Sequence, residues 1–358
     1  MKTYLVTGGA GFIGSNFIKY LFVKHGEGVK IINADSLTYA GNLENLKDIE
    51  GNPNYHFEKT DICDYDAVKN LFVKYDIDYV IHMAAESHVD RSIENPKVFM
   101  ETNVIGTFNM LNAAKENWAR GDGFIEGKKF VHVSTDEVYG SLGAEGYFYE
   151  DTPLDPHSPY SASKASSDMI VKSYADTFGF PMNITRCSNN YGPYQFPEKL
   201  IPLMINNVLE LKHLPVYGSG ENVRDWLYVA DHAKAIDLVA RNAKCGEVYN
   251  IGGHNEKQNI EIVKIIINTV RELLDKDDQR RDKINETLIK YVEDRKGHDL
   301  RYAIAPDKIK KELGWEPETG FNEGIVKTIN WYFENTEWLK SVTSGDYQNY
   351  YDNMYQNR

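Results

Sequence analysis

Through roughly the first half of the chain, short apolar runs alternate with stretches whose apolar side chains recur every third or fourth position. The runs at 4–7, 30–34, 55–59, 79–83, 130–134, 182–186 and 248–251 predict strands. Several are apolar throughout, as strands covered on both faces should be. Helices are predicted at 13–24, 66–74, 96–116, 159–177 and 231–240. Such alternation is the mark of βαβ units. The expected fold is α/β, a Rossmann-type doubly wound parallel sheet with a smaller C-terminal α/β lobe. Residues 1–190 should form the first lobe, rejoined by the strand at 248–251, and 191–335 mainly the second, where Pro193, Pro197, Pro202 and Pro215 punctuate the chain. The charged run 275–282 reads as a solvated helix end or loop. The tail 336–358, with Tyr347, Tyr350, Tyr351 and Tyr355, reads as a packed or fraying terminus.

Glycines fall where the first strand meets the first helix: Gly8-Gly9-Ala10-Gly11-Phe12-Ile13-Gly14. A sharp turn and a close approach of backbone to a pyrophosphate both call for glycine, and the helix start offers free N–H groups to phosphates. Asp35 ends the next strand, about twenty residues on, where a carboxylate accepts from ribose hydroxyls. It would repel a 2′-phosphate, so NAD is expected over NADP. Ser36, Leu37 and Thr38 follow it as candidate cofactor contacts. Asp61 and Ile62 end the third strand beside the expected adenine, and Ala84 and Ala85, with Ser87 beyond, end the fourth.

Tyr160-Ser161-Ala162-Ser163-Lys164 sets a phenol and an ammonium one helical turn apart. A neighbouring ammonium favours phenolate, so the Tyr160 pKa is expected to fall toward that of a useful base. The motif is common by chance; behind a glycine turn at this distance it resembles the short-chain dehydrogenase family. That resemblance implies hydride transfer between a carbinol and NAD, with Lys164 on the nicotinamide ribose.

Ser134-Thr135-Asp136-Glu137-Val138-Tyr139-Gly140 adds two adjacent acids at the end of the fifth strand. Two close carboxyls do not ionise equally, so one can stay protonated while its neighbour serves as base. Elimination of water needs such a pair. With Ala84-Ala85-Glu86-Ser87-His88-Val89-Asp90-Arg91-Ser92, Arg186-Cys187-Ser188-Asn189-Asn190-Tyr191-Gly192-Pro193 and Lys199-Leu200-Ile201-Pro202, the chain resembles the dTDP-glucose 4,6-dehydratase family of extended short-chain dehydrogenases. The likeness extends from Thr3 to about Gly324, and the acid pair is its most specific part. It implies that Tyr160 deprotonates the hydroxyl at carbon 4 of dTDP-glucose, with Thr135 hydrogen-bonded to that oxygen. Glu137 then removes the proton at carbon 5, Asp136 protonates the departing carbon 6 hydroxyl, and hydride returns to carbon 6. It also implies Thr102 and Asn190 as cofactor neighbours, and a homodimer paired through the helices at 96–116 and 159–177.

In the second lobe Leu214-Pro215-Val216-Tyr217-Gly218 and Asn222-Val223-Arg224-Asp225-Trp226 resemble the family's nucleotide-binding stretches. Arg224 offers a planar fork suited to a diphosphate. Asp294-Arg295-Lys296-Gly297-His298-Asp299 resembles a further anchor with lysine in place of the usual proline, a change expected to loosen the turn. The resemblance implies His88, Thr135, Asn189, Lys199, Leu200, Pro215, Tyr217, Arg224, Asn259, Asp294, Arg295 and His298 as substrate neighbours.

The net charge of −13, from 40 basic and 53 acidic residues, argues against a nucleic-acid partner and leaves room for an anionic small substrate held by a few arginines. No apolar run reaches membrane-spanning length. Cys63, Cys187 and Cys245 show no paired spacing, so reduced thiols and a cytoplasmic setting are expected. His82, His88 and His132 lack completing ligands and read as core or loop histidines, so no metal is expected. Asn103 and Asn109, on the helix after Pro96, could bond a catalytic loop or face solvent. A 4-epimerase or decarboxylase of related fold lacks the acid pair; a non-catalytic NAD-sensing protein would not need Tyr160, Lys164 and Glu137 together.

Overall fold

The computed structural model describes residues 1–344 and Tyr347; Tyr350, Tyr351 and Tyr355 lie outside the described residues. Seven parallel strands form the central sheet, in the order Val248–Ile251, Met182–Cys187, Lys129–Thr135, Tyr79–His82, Lys2–Thr7, Val29–Asp35, Tyr55–Lys59. All seven predicted strands are present. The strand order reverses between Lys2–Thr7 and Tyr79–His82, and at such a switch point the loops part and leave a crevice at the strands' carboxyl ends. Thr7 holds that point closed from below: its Oγ1 accepts from the N–H groups of Met83 and Ala84 at 3.2 and 3.1 Å.

Helices cover both faces. On one, Phe12–His25 and Val229–Asn242 bury Phe17, Ile18, Leu21, Ile236 and Val239 against the sheet. On the other, Tyr65–Lys74, Thr107–Trp118 and Pro159–Phe178 bury Val68, Leu71, Met110, Leu111 and Val171. The continuous apolar character of the strands follows from this double cover. A separate core joins Leu200–Leu209, Asn259–Leu273 and Phe321–Glu334. Beside it lie a parallel pair, Leu214–Tyr217 with Ile289–Val292, and a three-stranded sheet of Glu256–Gln258, Val223–Tyr228 and Asn189–Tyr191.

One predicted helix differs. The segment expected as continuous from 96 to 116 is α-helical at Pro96–Phe99, π-helical at Met100–Gly106 and α-helical again at Thr107–Trp118. The widened stretch presents Asn103 inward, buried: its Oδ1 accepts from Glu86 N at 2.8 Å, and its Nδ2 donates to Glu86 O and to Ser163 Oγ. Asn109 is likewise buried, donating to the carbonyls of Ile62 and Cys63. The charged run 275–282 forms turns after the helix Asn259–Leu273. Tyr347 packs edge-on against Phe196 and donates to Pro197 O.

Candidate active site

The glycine turn folds as close approach requires. Gly8 sits at φ +68, a region L side chains rarely adopt, and donates to Ala34 O. A Cβ on Gly14 would stand 2.3 Å from Gly8 O and 2.6 Å from Gly9 Cα, so helix and turn touch through glycine. Gly11 caps the helix Phe12–His25, and a Cβ there would meet only Gly8 O, at 3.3 Å; its outer side is open to the cleft. Asp35 accepts from Ala10 N at 3.0 Å and Leu37 N at 2.8 Å, which fixes its carboxylate at the end of its strand. Burial raises its pKa, and those two N–H groups oppose the rise.

From this turn a cleft of about 830 Å³ runs across the strand ends. Gly8, Gly11, Phe12, Ile13, Gly14, Asp35, Ser36, Thr38, Asp61, Ile62, Ala84, Ala85, Ser87, Thr102 and Asn190 line it, together with Thr135, Asp136, Glu137, Tyr160 and Lys164. Leu37 does not: its contribution is the backbone N–H given to Asp35, at φ +56.

Tyr160 stands in the first turn of Pro159–Phe178, a helix started by a reciprocal Ser158–Ser161 capping box with proline at its head. Lys164 Nζ donates to Val133 O at 2.9 Å. The expected lowering of the Tyr160 pKa is not found. Burial drives it well above the usual tyrosine value, Glu137 and Cys187 push it the same way, and a Thr135 hydrogen bond only partly offsets them. The ammonium is turned to the Val133 carbonyl, and burial has lowered its own pKa to about 8.

The acid pair opens the tight turn Asp136–Tyr139, capped by Thr135, whose Oγ1 accepts from Glu137 N at 3.2 Å and donates to Asp136 Oδ1 at 3.3 Å. The two carboxyls have different surroundings. Asp136 is 1% exposed, and its Oδ2 has no hydrogen-bond partner among the described residues. Burial lifts its pKa well above the aspartate range, and Glu137 and Asp225 add to the lift. The Glu137 pKa is raised as well, mainly by burial with Asp299 adding to it, while Lys199, Arg224 and Arg295 oppose the rise. The surroundings therefore hold a proton more firmly on Asp136 than on Glu137.

Glu137 also lines a second cavity of about 160 Å³, continuous with the first through Asn189, Asn190, Gln195, Glu198 and Lys199. His88, Leu200, Pro215, Tyr217, Arg224, Asn259, Arg295 and His298 complete its expected wall. Buried Oδ1 atoms of Asn189 and Asn259 have no partner among the described residues, which leaves two acceptors on this wall for hydroxyl donors. Arg224 donates to Asp299 O at 2.9 Å and lies 4.2 Å over the Tyr302 ring; Arg295 reaches Asp90 at 3.2 Å. Lys199 donates to Ser87 O at 2.6 Å, tying the two lobes' loops together. Burial lowers the pKa of His88 well below the usual histidine value and that of His298 to about 4, so both are neutral. Asp294 is exposed and off the wall; it accepts from Arg295 N and His298 Nδ1 and so shapes the anchor turn. These bonds close the turn with Lys296 exposed, although lysine in place of proline was expected to loosen it.

Sequence reasoning missed Gln195, Glu198, Asp299 and Tyr302. Buried Glu198 accepts from Tyr39 at 3.1 Å and Arg91 at 3.0 Å, and Tyr302 donates to Asp299 at 2.5 Å. Glu198 and Asp299 adjoin Lys199 and His298, the only signal available; Tyr302 carried none. His82 and His132 are buried strand residues with rings stacked at 5.5 Å. Among the described residues no three His, Cys, Asp or Glu side chains converge to hold a metal, and no helix is long and apolar enough to cross a membrane.

Fold and cleft together define an extended short-chain dehydrogenase architecture built for a dinucleotide and an anionic sugar. The family described as GDP-mannose 4,6 dehydratase matches residues 5–328, and the chain belongs to it. It is 50% identical to the dTDP-glucose 4,6-dehydratase of Shigella flexneri, over 99% of both chains. With that of Xanthomonas campestris pv. campestris (strain B100) it shares 51% identity over 97% of this chain and 98% of the other. Among solved structures, dTDP-glucose 4,6-dehydratase from Bacillus anthracis in complex with NAD superimposes with a TM-score of 0.84 at 48% identity, covering 96% of this chain and 100% of that one. The Streptomyces venezuelae enzyme with NAD and TYD bound gives 0.87 at 43%, covering 95% and 99%.

Proposed function

We propose that this chain is an NAD-dependent dTDP-glucose 4,6-dehydratase, a hydro-lyase forming dTDP-4-keto-6-deoxyglucose and water. One observation carries the reading: a neutral, buried Asp136 and a cation-flanked Glu137 share the cleft with Tyr160. An epimerase or decarboxylase needs no such pair. The glycine turn, Asp35 and Lys164 fit NAD, which when bound supplies the hydride acceptor and donor and a cationic ring favouring the phenolate of Tyr160.

The residues divide the work as follows. Tyr160 takes the proton of the carbon 4 hydroxyl, and Thr135 hydrogen-bonds the same oxygen. The resulting ketone acidifies carbon 5, from which Glu137 removes a proton; Lys199, Arg224 and Arg295 favour its carboxylate against the effect of burial. Asp136, the neutral partner, gives its proton to the carbon 6 hydroxyl, which leaves as water. Arg224 and Arg295 hold the diphosphate, with Asn189, Asn259, Lys199, Tyr217 and His298 around the sugar and base.

The subunit pairs with a second copy through the helices at 96–118 and 159–178, where Met100, Phe108 and Met169 are exposed away from the cleft. Three free cysteines suit a cytoplasmic setting, and the product suits deoxysugar synthesis. A panel of nucleotide hexoses, followed by the alkaline absorbance of the 4-keto product, tests the reading. dTDP-glucose should turn over far faster than UDP- or GDP-sugars; equal rates would defeat the substrate assignment.

A further inference from the structure

The helix Pro159–Phe178 carries a third ionisable side chain on the face of Tyr160 and Lys164. Asp168 stands one turn beyond Lys164, is 1% exposed, and takes no part in the dehydration steps above. Its Oδ2 accepts from Arg186 Nε at 2.8 Å, and its Oδ1 lies 3.4 Å from His132 Nε2. Arg186, on the strand Met182–Cys187, also donates through Nη1 to the Tyr139 hydroxyl at 2.8 Å and to Glu150 O at 3.4 Å. The Tyr139 hydroxyl in turn donates to Asn250 Oδ1 at 2.8 Å. Tyr139 closes the turn that begins with Asp136 and Glu137. Buried contacts thus run without a break from the helix of the phenol and ammonium to the turn of the acid pair.

A buried ion pair is a poor source of net stability, because desolvation offsets most of the attraction. Its place here, between the two catalytic elements, gives it another use. We propose that Asp168, with Arg186 and Tyr139, is a positioning residue of the site: its carboxylate keeps Lys164 an ammonium and locks the Tyr160–Lys164 helix to the Asp136–Glu137 turn. The inference rests on the dehydratase reading for its catalytic consequence, and on the buried array alone for its electrostatic one.

The groups facing Lys164 are Asp168 on its own helix, His132 on the strand Lys129–Thr135, His82 on Tyr79–His82, and Cys187 on Met182–Cys187. Burial lowers the Lys164 pKa to about 8; Asp168 is the strongest influence opposing it, and Cys187 follows. Burial holds His82 and His132 neutral, so neither supplies a competing charge at neutral pH. Burial would raise Asp168 too, but its His132 contact and the Arg186 guanidinium outweigh that and keep it ionised. Neutralising Asp168 removes the one carboxylate that opposes burial at Lys164, so the lysine loses its proton at lower pH.

Asp168→Asn removes the charge and keeps the shape. In lysine-¹³C-labelled protein, with the Lys164 resonance assigned by its loss in Lys164→Met, the Lys164 midpoint should fall by about one pH unit or more. The basic limb of kcat for dTDP-glucose should move down with it, while KM changes by no more than about twofold. An unmoved Lys164 midpoint overturns the proposal. The titration needs no substrate, so a wild-type protein inert toward dTDP-glucose would sink the dehydratase reading and leave this test intact. Tyr139→Phe leaves the buried ion pair in place and serves where Asp168→Asn does not fold. It should leave the Lys164 midpoint alone, lower kcat about tenfold, and let reduced nicotinamide accumulate in a single turnover because elimination has slowed. A wild-type kcat in Tyr139→Phe overturns the link to the acid turn.

Discussion

At the scale of single residues, two neighbouring carboxyls are separated by their surroundings rather than by their chemistry. Glu137 has three cations around it, and Asp136 has two further carboxylates and an unpartnered oxygen. Glu137→Gln should therefore abolish 6-deoxy product, slowing it by about 10²- to 10⁴-fold, while bound NAD is still partly reduced on adding dTDP-glucose. Product analysis beside the near-ultraviolet absorbance of reduced nicotinamide separates the two steps, and unchanged turnover would remove Glu137 as the base. Asp136 carries a second consequence. Its folded pKa lies well above its unfolded value, so between the two the folded state holds a proton that the unfolded state lacks. Stability then falls as pH rises through that window, and the loss is complete above the folded pKa. Asp136→Asn cannot ionise, so its stability relative to wild type should grow as pH rises from the usual aspartate range, reaching about 1–2 kcal/mol, while dehydration is lost. Denaturant titrations of both proteins across that range check this; a pH-independent difference would mean that Asp136 is ionised in the fold.

At the scale of elements, what was legible in the sequence is what local pattern controls. Strands covered on both faces read as apolar runs, and Thr135–Gly140 and Tyr160–Lys164 are contiguous motifs. The π-helical stretch Met100–Gly106 could not be read, because its register is set by what Asn103 reaches, Glu86 and Ser163, far away in the chain. The Tyr160 pKa was misjudged for a similar reason. Spacing places Lys164 one turn away, but it does not show the ammonium donating to Val133 O or the burial of the phenol. Arg186 and Asp225, which set the charge around the acid turn, arrive from other strands. The glycine turn was legible as a motif, and the structure divides its glycines into two kinds. Gly14→Ala would drive a Cβ to 2.3 Å from Gly8 O, so it should cost about 1–3 kcal/mol of stability as well as NAD affinity. Gly11→Ala meets only Gly8 O at 3.3 Å on the protein side, so it should cost no more than about 1 kcal/mol, the usual penalty of alanine at an N-cap, while NAD affinity falls. Thermal unfolding without cofactor and calorimetric NAD titration distinguish them; equal destabilisation would refute the division.

Across the whole molecule, the same two helices carry the cleft's Tyr160 and Lys164 and the surface proposed for pairing. Pro159–Phe178 turns Tyr160 and Lys164 into the cleft and leaves Met169 60% exposed; Thr107–Trp118, packed against it, leaves Phe108 42% exposed. Exposed apolar side chains are ordinary one at a time, but here they sit on adjacent helices, with Met100 exposed on the stretch that leads into Thr107–Trp118. A contact between two copies related by a twofold axis uses each such residue twice, so a single substitution is felt at two places. Phe108→Glu with Met169→Glu would bury four unpaired carboxylates in a dimer and none in a monomer. At about 2 kcal/mol for each buried apolar anchor lost, association should weaken by several orders of magnitude. Light scattering should then report a dimer for the wild type and a monomer for the double variant, with far-ultraviolet circular dichroism unchanged. If the catalytic helix needs its partner for rigidity, kcat should fall in the monomer by more than KM rises, because Tyr160 and Lys164 are carried on the element that loses its support. A variant that scatters as the wild type does would show that these side chains face solvent and that any pairing uses another surface.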